Sequence, residues 1–317
     1  MTIETYRNII ANKTKSFEHA GITHDCDLPS SLFDHQRVGV EFALRAGRSA
    51  MFYDTGLGKT AMALSWADQI IRNTNKPLLM MAPLAVGPQH VREAARIGID
   101  AKVIRDQSDV SGSVVHVLNY DRLDKIDVSA FGGVILDESS ILKSFNGQTT
   151  RKLIEMFGNM PYRLACTATP APNDHTELGT HAEFLGAMRR DEMLPIWFIH
   201  DSADTGTWRI KGHAQGDFWR WVASWARCVS KPSDLGFSDT GFSLPELFTH
   251  RHEIIADVSN ETGHEKDGQS RLFRIPEMSA TSIHREKRMT INARADIIAE
   301  NILSENSEPW VVWCDTN

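Results

Sequence analysis

Tyr53-Asp54-Thr55-Gly56-Leu57-Gly58-Lys59-Thr60 decides the architecture of this chain. A short apolar run, Ala50-Met51-Phe52, precedes it, and Ala63, Leu64, Ala67, Ile70 and Ile71 follow at helical spacing. Strand, glycine turn, Gly-Lys-Thr and helix together make a phosphate cradle. Glycines let backbone N–H groups converge on an anion with no Cβ in the way. The helix behind them adds the positive end of its dipole and its unpaired N–H donors. In such a loop, residues 54–58 wrap the phosphates and Lys59 reaches the β- and γ-phosphates. The Thr60 hydroxyl ligates Mg²⁺. The strict spacing G-x-x-x-x-G-K-[ST] asks for glycine at position 53, where this chain has tyrosine.

Two further strand ends carry chemistry. Phe131-Gly132-Gly133-Val134-Ile135-Leu136-Asp137-Glu138 is an apolar strand that delivers two adjacent carboxylates to a sheet edge. Asp137 is assigned to the metal's hydration shell and Glu138 to the attacking water. Arg163-Leu164-Ala165-Cys166-Thr167-Ala168-Thr169-Pro170 ends another strand in two hydroxyls. Thr167 and Thr169 can hydrogen-bond the carboxylates and sense the γ-phosphate. With Leu78–Ala82 and short strands at 102–104 and 114–118, the pattern predicts an α/β fold built on a buried parallel sheet.

Upstream, residues 32–44 predict a helix carrying Gln36, whose amide can read the N6/N7 edge of adenine. Another helix is expected to open near Pro88. Asn119 and Tyr120 follow a strand end, where open α/β sheets bind ligands. They fit either a nucleic-acid backbone contact or a helix entry. Between 185 and 245, Trp197, Trp208, Trp219, Trp221 and Trp225 stand among Arg189, Arg190, Arg209, Lys211, Arg220 and Arg227. That mixture suits base stacking, but Phe218, Trp221, Val222 and Trp225 at i, i+3, i+4, i+7 favour a helix burying one face.

The 317 residues allow one large or two medium domains. A net charge of −7 excludes binding of nucleic acid by bulk charge and leaves it to a local surface. Cys26, Cys166, Cys228 and Cys314 have no C-x-x-C spacing and read as reduced thiols. The histidines form no zinc-ligand pattern. No apolar run reaches bilayer length and the N-terminus lacks a signal-peptide core, so a cytoplasmic protein of a bacterial or phage-infected cell is expected, with no membrane partner.

Gln36, residues 54–60, Ala82-Pro83-Leu84, Asp137-Glu138-Ser139-Ser140 and Thr167-Ala168-Thr169-Pro170 stand in the order of the superfamily 2 helicase motifs. The set resembles the Swi/Snf-type branch, bacteriophage-encoded helicases included. Leu142-Lys143-Ser144 is similar to the Leu-Lys-Asn that follows that branch's acidic box. The resemblance covers about residues 30–317. It implies a RecA-like P-loop lobe with helices on both faces of its sheet, ATP and Mg²⁺ as ligands, and nucleic-acid contacts at Pro83, Asn119, Tyr120 and Lys143. It also implies DNA as the partner, with RNA not excluded. Ser139-Ser140 departs from the Ala-Asp, Ala-His or Gly-His of many helicases, at a place that couples ATP state to the rest of the motor.

The domain expectation is a leader at 1–30, a first RecA-like lobe at 31–184, a helical Trp-rich insertion at 185–245, and the start of a second lobe at 246–317. That last part is expected to hold a strand at 252–258, a polar mobile run at 257–270, a helix at about 293–303 and an apolar strand at 309–314. No Gln-x-x-Gly-Arg-x-x-Arg run occurs in the sequence. The expected activity is therefore ATP-dependent translocation or unwinding, weak in this chain until the remainder of the second lobe supplies an arginine. A second reading stays open: a non-catalytic, ATP-gated module that pairs with another lobe. A small-molecule kinase fits the acidic pair and the two threonines less well.

Overall fold

The computed structural model describes residues 17–200, 208–254, 287–305, 307 and 309–313. Seven strands form one parallel sheet: β1 (Arg48–Tyr53), β2 (Leu78–Ala82), β3 (Ala101–Val103), β4 (Val115–Asn119), β5 (Gly133–Asp137), β6 (Tyr162–Cys166) and β9 (Ala226–Val229). Their order is β3-β4-β2-β5-β6-β1-β9. Every residue of β2 is buried, as a central strand covered on both faces demands.

Alternate residues of each strand feed two cores. Ala50 and Phe52 of β1 face one, and Met51 and Tyr53 face the other. The second core is closed by helices α1 (Asp34–Ala46), α2 (Lys59–Thr74) and α3 (Gly87–Arg96), with Trp66 fully buried in it. The first is closed by α4 (Gln148–Phe157), α5 (Leu178–Leu185), α6 (Arg190–Trp197) and α7 (Gln215–Trp225). Pro88 lies in the first turn of α3, where its missing N–H costs no helix bond.

Phe218, Trp221, Val222 and Trp225 all point from α7 into the core. Trp197 packs 4.6 Å from Trp221, and Trp225 meets Phe52 edge-on at 6.1 Å. These rings are packing groups, and burying each one stabilises the fold by about 2–3 kcal/mol.

The segment 185–245 differs from the helical insertion expected of it. It also holds an antiparallel pair, β7 (Phe198–His200) with β8 (Trp208–Ile210), and it ends in β9, which pairs with β1 as an edge of the main sheet. Ala226–Val229 is too short, and too interrupted by Arg227, to signal a strand. Only the free edge of β1 makes it one.

Residues Met1–Leu244 form one compact unit and Pro245–Asn317 a second. In the second, the described residues give one principal helix, α8 (Ile291–Ser304). Residues 252–254 and 309–313 are not strands, because no described residue pairs with them. The rest of the expected strand at 252–258, the polar run at 257–270, Cys314 and most of the N-terminal leader lie outside the described residues. Among the described residues no helix is long and apolar enough to cross a membrane.

Candidate nucleotide site

The parallel sheet brings the motifs to one edge. β1 ends in the glycine loop, β5 in Asp137 and Glu138, and β6, which lies between them, in Thr167. With strands about 4.8 Å apart, the loop and the acids face each other across roughly 10 Å, room for a triphosphate. The buried Cys166 thiol senses the convergence. Its pKa is pushed well up by burial and by the charges of Asp137 and Glu138, with Lys59 opposing them.

Gly56 and Gly58 have φ of 87° and 79°, values that only glycine takes without strain. Gly58 is also the N-cap of α2. A Cβ there would lie 2.3 Å from Gln36 Nε2, so the loop closes only around a bare backbone. Gln36 is buried, donates from Nε2 to Leu57 O at 3.0 Å and accepts from Phe33 N at 3.0 Å. It therefore braces the loop, and its second N–H and second lone pair remain for a base. Phe33, exposed beside it, stacks on His35 and meets Phe242 edge-on. Sequence reasoning had no signal for Phe242, which comes from far along the chain.

Lys59 Nζ donates to Tyr53 O at 2.9 Å and to Asp54 O at 3.2 Å, spanning the loop. Thr55 N donates to Asp54 Oδ1 at 2.7 Å. Leu57 is buried beneath the turn, and Thr60 sits half-buried in the first turn of α2.

On the acidic side, Glu138 is exposed and held at φ 54°, ψ 54°. A left-handed backbone on a non-glycine residue costs about 1–2 kcal/mol and is tolerated where it aims a side chain. Thr167 Oγ1 donates to Glu138 Oε2 at 3.2 Å and accepts from Thr169 N at 3.1 Å. Thr169 thus reaches the acids through its backbone.

Asp137 has a partner that the motif order did not disclose. His90 Nε2 lies 2.8 Å from Asp137 Oδ2, with the imidazole only 4% exposed. The signal was a histidine on the inward face of α3, invisible until α3 is packed on the sheet. Tyr120 donates its hydroxyl to the Asp137 carbonyl at 2.7 Å, and burial followed by the Asp137 charge pushes its pKa well up. Asn119 Oδ1 accepts from Asp121 N, capping a 3₁₀ turn over Tyr120–Lys125. Both side chains thus make helix-entry and strand-bracing contacts. Pro83 precedes a 3₁₀ turn at Leu84–Val86, and Lys143 is exposed at the end of another at Ser139–Lys143.

The donor set suits magnesium. Among the described residues no three carboxylates, histidines or cysteines gather as a metal cage. A hydroxyl at Thr60 and a carboxylate at Asp137, facing a phosphate cradle, are instead the sparse oxygen ligands this ion takes with a nucleotide.

Behind the acids, Ser139 Oγ lies 3.2 Å from His181 Nε2, and His181 is wholly buried against Phe52. Burial pulls its pKa down to about 4. Between pH 6.5 and 4 the unfolded chain binds this proton and the folded chain does not, so stability is lost as pH falls through that window. The loss is about 3 kcal/mol. Urea unfolding at a series of pH values measures it. His181→Gln is expected to flatten the limb, and a variant profile parallel to wild type there would contradict the assignment.

No protein-family model matches the chain. The SWI/SNF-related matrix-associated actin-dependent regulator of chromatin subfamily A-like protein 1 of Xenopus tropicalis is 29% identical over 166 residues, covering 49% of this chain and 17% of that protein. DNA annealing helicase and endonuclease ZRANB3 of Homo sapiens is 30% identical over 175 residues, covering 50% of this chain and 16% of that protein. A protein of Acyrthosiphon pisum secondary endosymbiont phage 1 is 29% identical over 175 residues, 48% of this chain and 38% of its own length. The chain spans a minor part of each relative. Among solved structures, the Sulfolobus solfataricus SWI2/SNF2 ATPase core in complex with dsDNA shares the fold, with a TM-score of 0.52 at 16% identity. That match covers 66% of this chain and 46% of the other. With its motifs in order on one edge of a parallel sheet, the chain is similar over about half its length to these Swi/Snf-related and helicase proteins, and it shares the α/β fold of the SWI2/SNF2 ATPase core.

Proposed function

We propose that this chain is the ATP-binding part of an ATP-dependent translocase or helicase acting on DNA. One observation carries the reading: Glu138, tied to Thr167, and Asp137, tied to His90, face the glycine loop across one sheet edge. The relatives' names, with helicase and dsDNA among them, support nucleic acid as the track.

Lys59 would exchange its two carbonyl partners for the β- and γ-phosphates, while the amides around Gly58 and the start of α2 bind the remaining oxygens. Thr60 and Asp137 would hold Mg²⁺, which neutralises charge on the phosphate oxygens when bound. His90 fixes the Asp137 carboxylate, as second partners of metal ligands do. Glu138 orients and deprotonates the attacking water, and Thr167 holds Glu138 in line. Gln36, with Phe33 at its side, selects adenine.

Phosphoryl transfer gains about 10³–10⁵ in rate from an arginine that neutralises the transition state. The 317 residues hold no Gln-x-x-Gly-Arg-x-x-Arg run to supply it, so we infer that this polypeptide binds Mg·ATP and hydrolyses it slowly. The partner it would need is a second lobe. Phosphate release at fixed salt, alone and with duplex DNA, single-stranded DNA or RNA, tests the proposal. Tight ATP binding with slow release is the expected outcome. Brisk DNA-stimulated release by these residues alone would overturn the slow-turnover part. Failure to bind ATP would overturn the whole reading.

A further inference from the structure

Asp239-Thr240-Gly241-Phe242 is a turn, closed by Phe242 N donating to Asp239 O at 2.9 Å. Its third residue, Gly241, takes φ 84°, a value that glycine adopts without strain. Asp239 is itself pinned. Ser233 N, in the 3₁₀ turn Pro232–Leu235 that follows β9, donates to Asp239 Oδ1 at 2.8 Å. The turn thus has a set shape and delivers the Phe242 ring to one place. That ring is half-buried against the edge of the second core, while residues 243–253 beyond it are all exposed.

What Phe242 meets is a pair of rings at the start of α1. Phe33 and His35 lie 5.9 Å apart with their planes at 20°. Phe242 stands nearly perpendicular to both, its centroid 5.1 Å from Phe33 and 4.8 Å from His35. His35 is 2% exposed, whereas Phe33 is 58% exposed. Phe33 is therefore gripped by two neighbours while much of its ring faces outward. Its backbone N–H donates to Gln36 Oε1, and Gln36 Nε2 donates to Leu57 O in the glycine loop. The outward ring consequently stands within a side chain's length of the amide assigned to adenine.

A base that lies on a freely rotating phenylalanine must immobilise it, and the lost rotamer freedom is subtracted from binding. An edge-to-face contact with Phe242 imposes that order before the base arrives. Phe242 also anchors the segment that leaves the first compact unit, which ends at Leu244. An anchor alone would serve the fold without touching nucleotide affinity, so the two roles separate by measurement.

We propose that Phe242 is a positioning residue for the nucleotide base: it holds the Phe33 ring as a preset platform on which adenine stacks beside Gln36. This rests on the reading of the glycine loop as an ATP site and deepens it, since it names what orders the base end of that site. Phe242 acts through Phe33.

Calorimetry on the 317-residue chain tests it with two magnesium-bound ligands, a non-hydrolysable ATP analogue and tripolyphosphate, which has the phosphates and no base. Wild type is expected to bind the analogue more tightly than tripolyphosphate. Phe242→Leu keeps apolar bulk and removes the ring. It is expected to weaken the analogue about three- to tenfold and to leave tripolyphosphate unchanged. Phe242→Met stands in if the leucine variant does not fold. In a Phe33→Leu background the same substitution should cost nothing further. Equal analogue affinity in wild type and variant, equal losses for the two ligands, or full additivity with Phe33→Leu overturns the positioning role. Wild type that binds tripolyphosphate as tightly as the analogue overturns the base platform alone. Wild type that binds neither overturns the ATP reading along with it.

Discussion

Glu138→Gln is expected to leave Mg·ATP affinity within a few-fold of wild type while cutting ATP hydrolysis by about 10²–10⁴, the usual weight of a general base. The amide keeps the size of the carboxylate and can still accept from Thr167 Oγ1, now at 3.2 Å from Glu138 Oε2. What it loses is the ability to take a proton from water. In the proposed function nucleotide binding falls to other groups, the glycine loop on β1 and Asp137 with His90, so affinity and turnover should separate. Single-turnover phosphate release, alongside titration with a fluorescent ATP analogue, reads the two quantities independently. Wild-type turnover in the variant would remove Glu138 from the water-orienting role.

Lys59→Ala should do the reverse and abolish binding itself, weakening Mg·ATP by on the order of 10²-fold or more, about 3 kcal/mol. The ammonium donates to the carbonyls of Tyr53 and Asp54. Those are solvated or half-buried acceptors, and freeing them should change stability little. The same ammonium facing triphosphate makes charge-assisted bonds in a site that water leaves, and these are the stronger kind. Circular dichroism would show an intact fold, and the nucleotide titration would show the loss. A variant that still binds ATP at wild-type affinity would mean that Lys59 stays on its backbone carbonyls when the ligand arrives.

The two substitutions probe opposite sides of the same edge, and the two sides were unequally legible. The loop at 54–60 declares itself because everything it does is local: the glycines, the lysine and the helix start all lie within eight residues. The acidic strand is nearly as plain, since an apolar run ending in two carboxylates is also a short-range pattern. The left-handed backbone of Glu138 was not, because glutamate carries no preference for that conformation and only the packed strand end imposes it.

His90 shows the limit most clearly. Nothing around Pro88-Gln89-His90 distinguishes a ligand-holding imidazole from a helix-surface one; its meeting with Asp137, forty-seven positions later, depends on how α3 packs onto the sheet. Tyr120 and Asn119 sit at a strand end as expected, yet the direction of the phenol, toward the Asp137 carbonyl, came only from the packed turn. Ala226–Val229 became a strand because β1 had a free edge, not because its residues favour one.

Short-range chemistry, then, was written openly in the chain: which loop can hold phosphates, which strand ends bear acids and hydroxyls, and which aromatic face of α7 turns inward. Packing alone settled the strand order that sets β6 between the loop and the acids, and the pairing of His90 with Asp137. The reason is physical. Propensity and periodicity act over a turn or a strand, whereas register and strand order arise when distant segments bury their apolar faces together, and that choice belongs to the whole sheet.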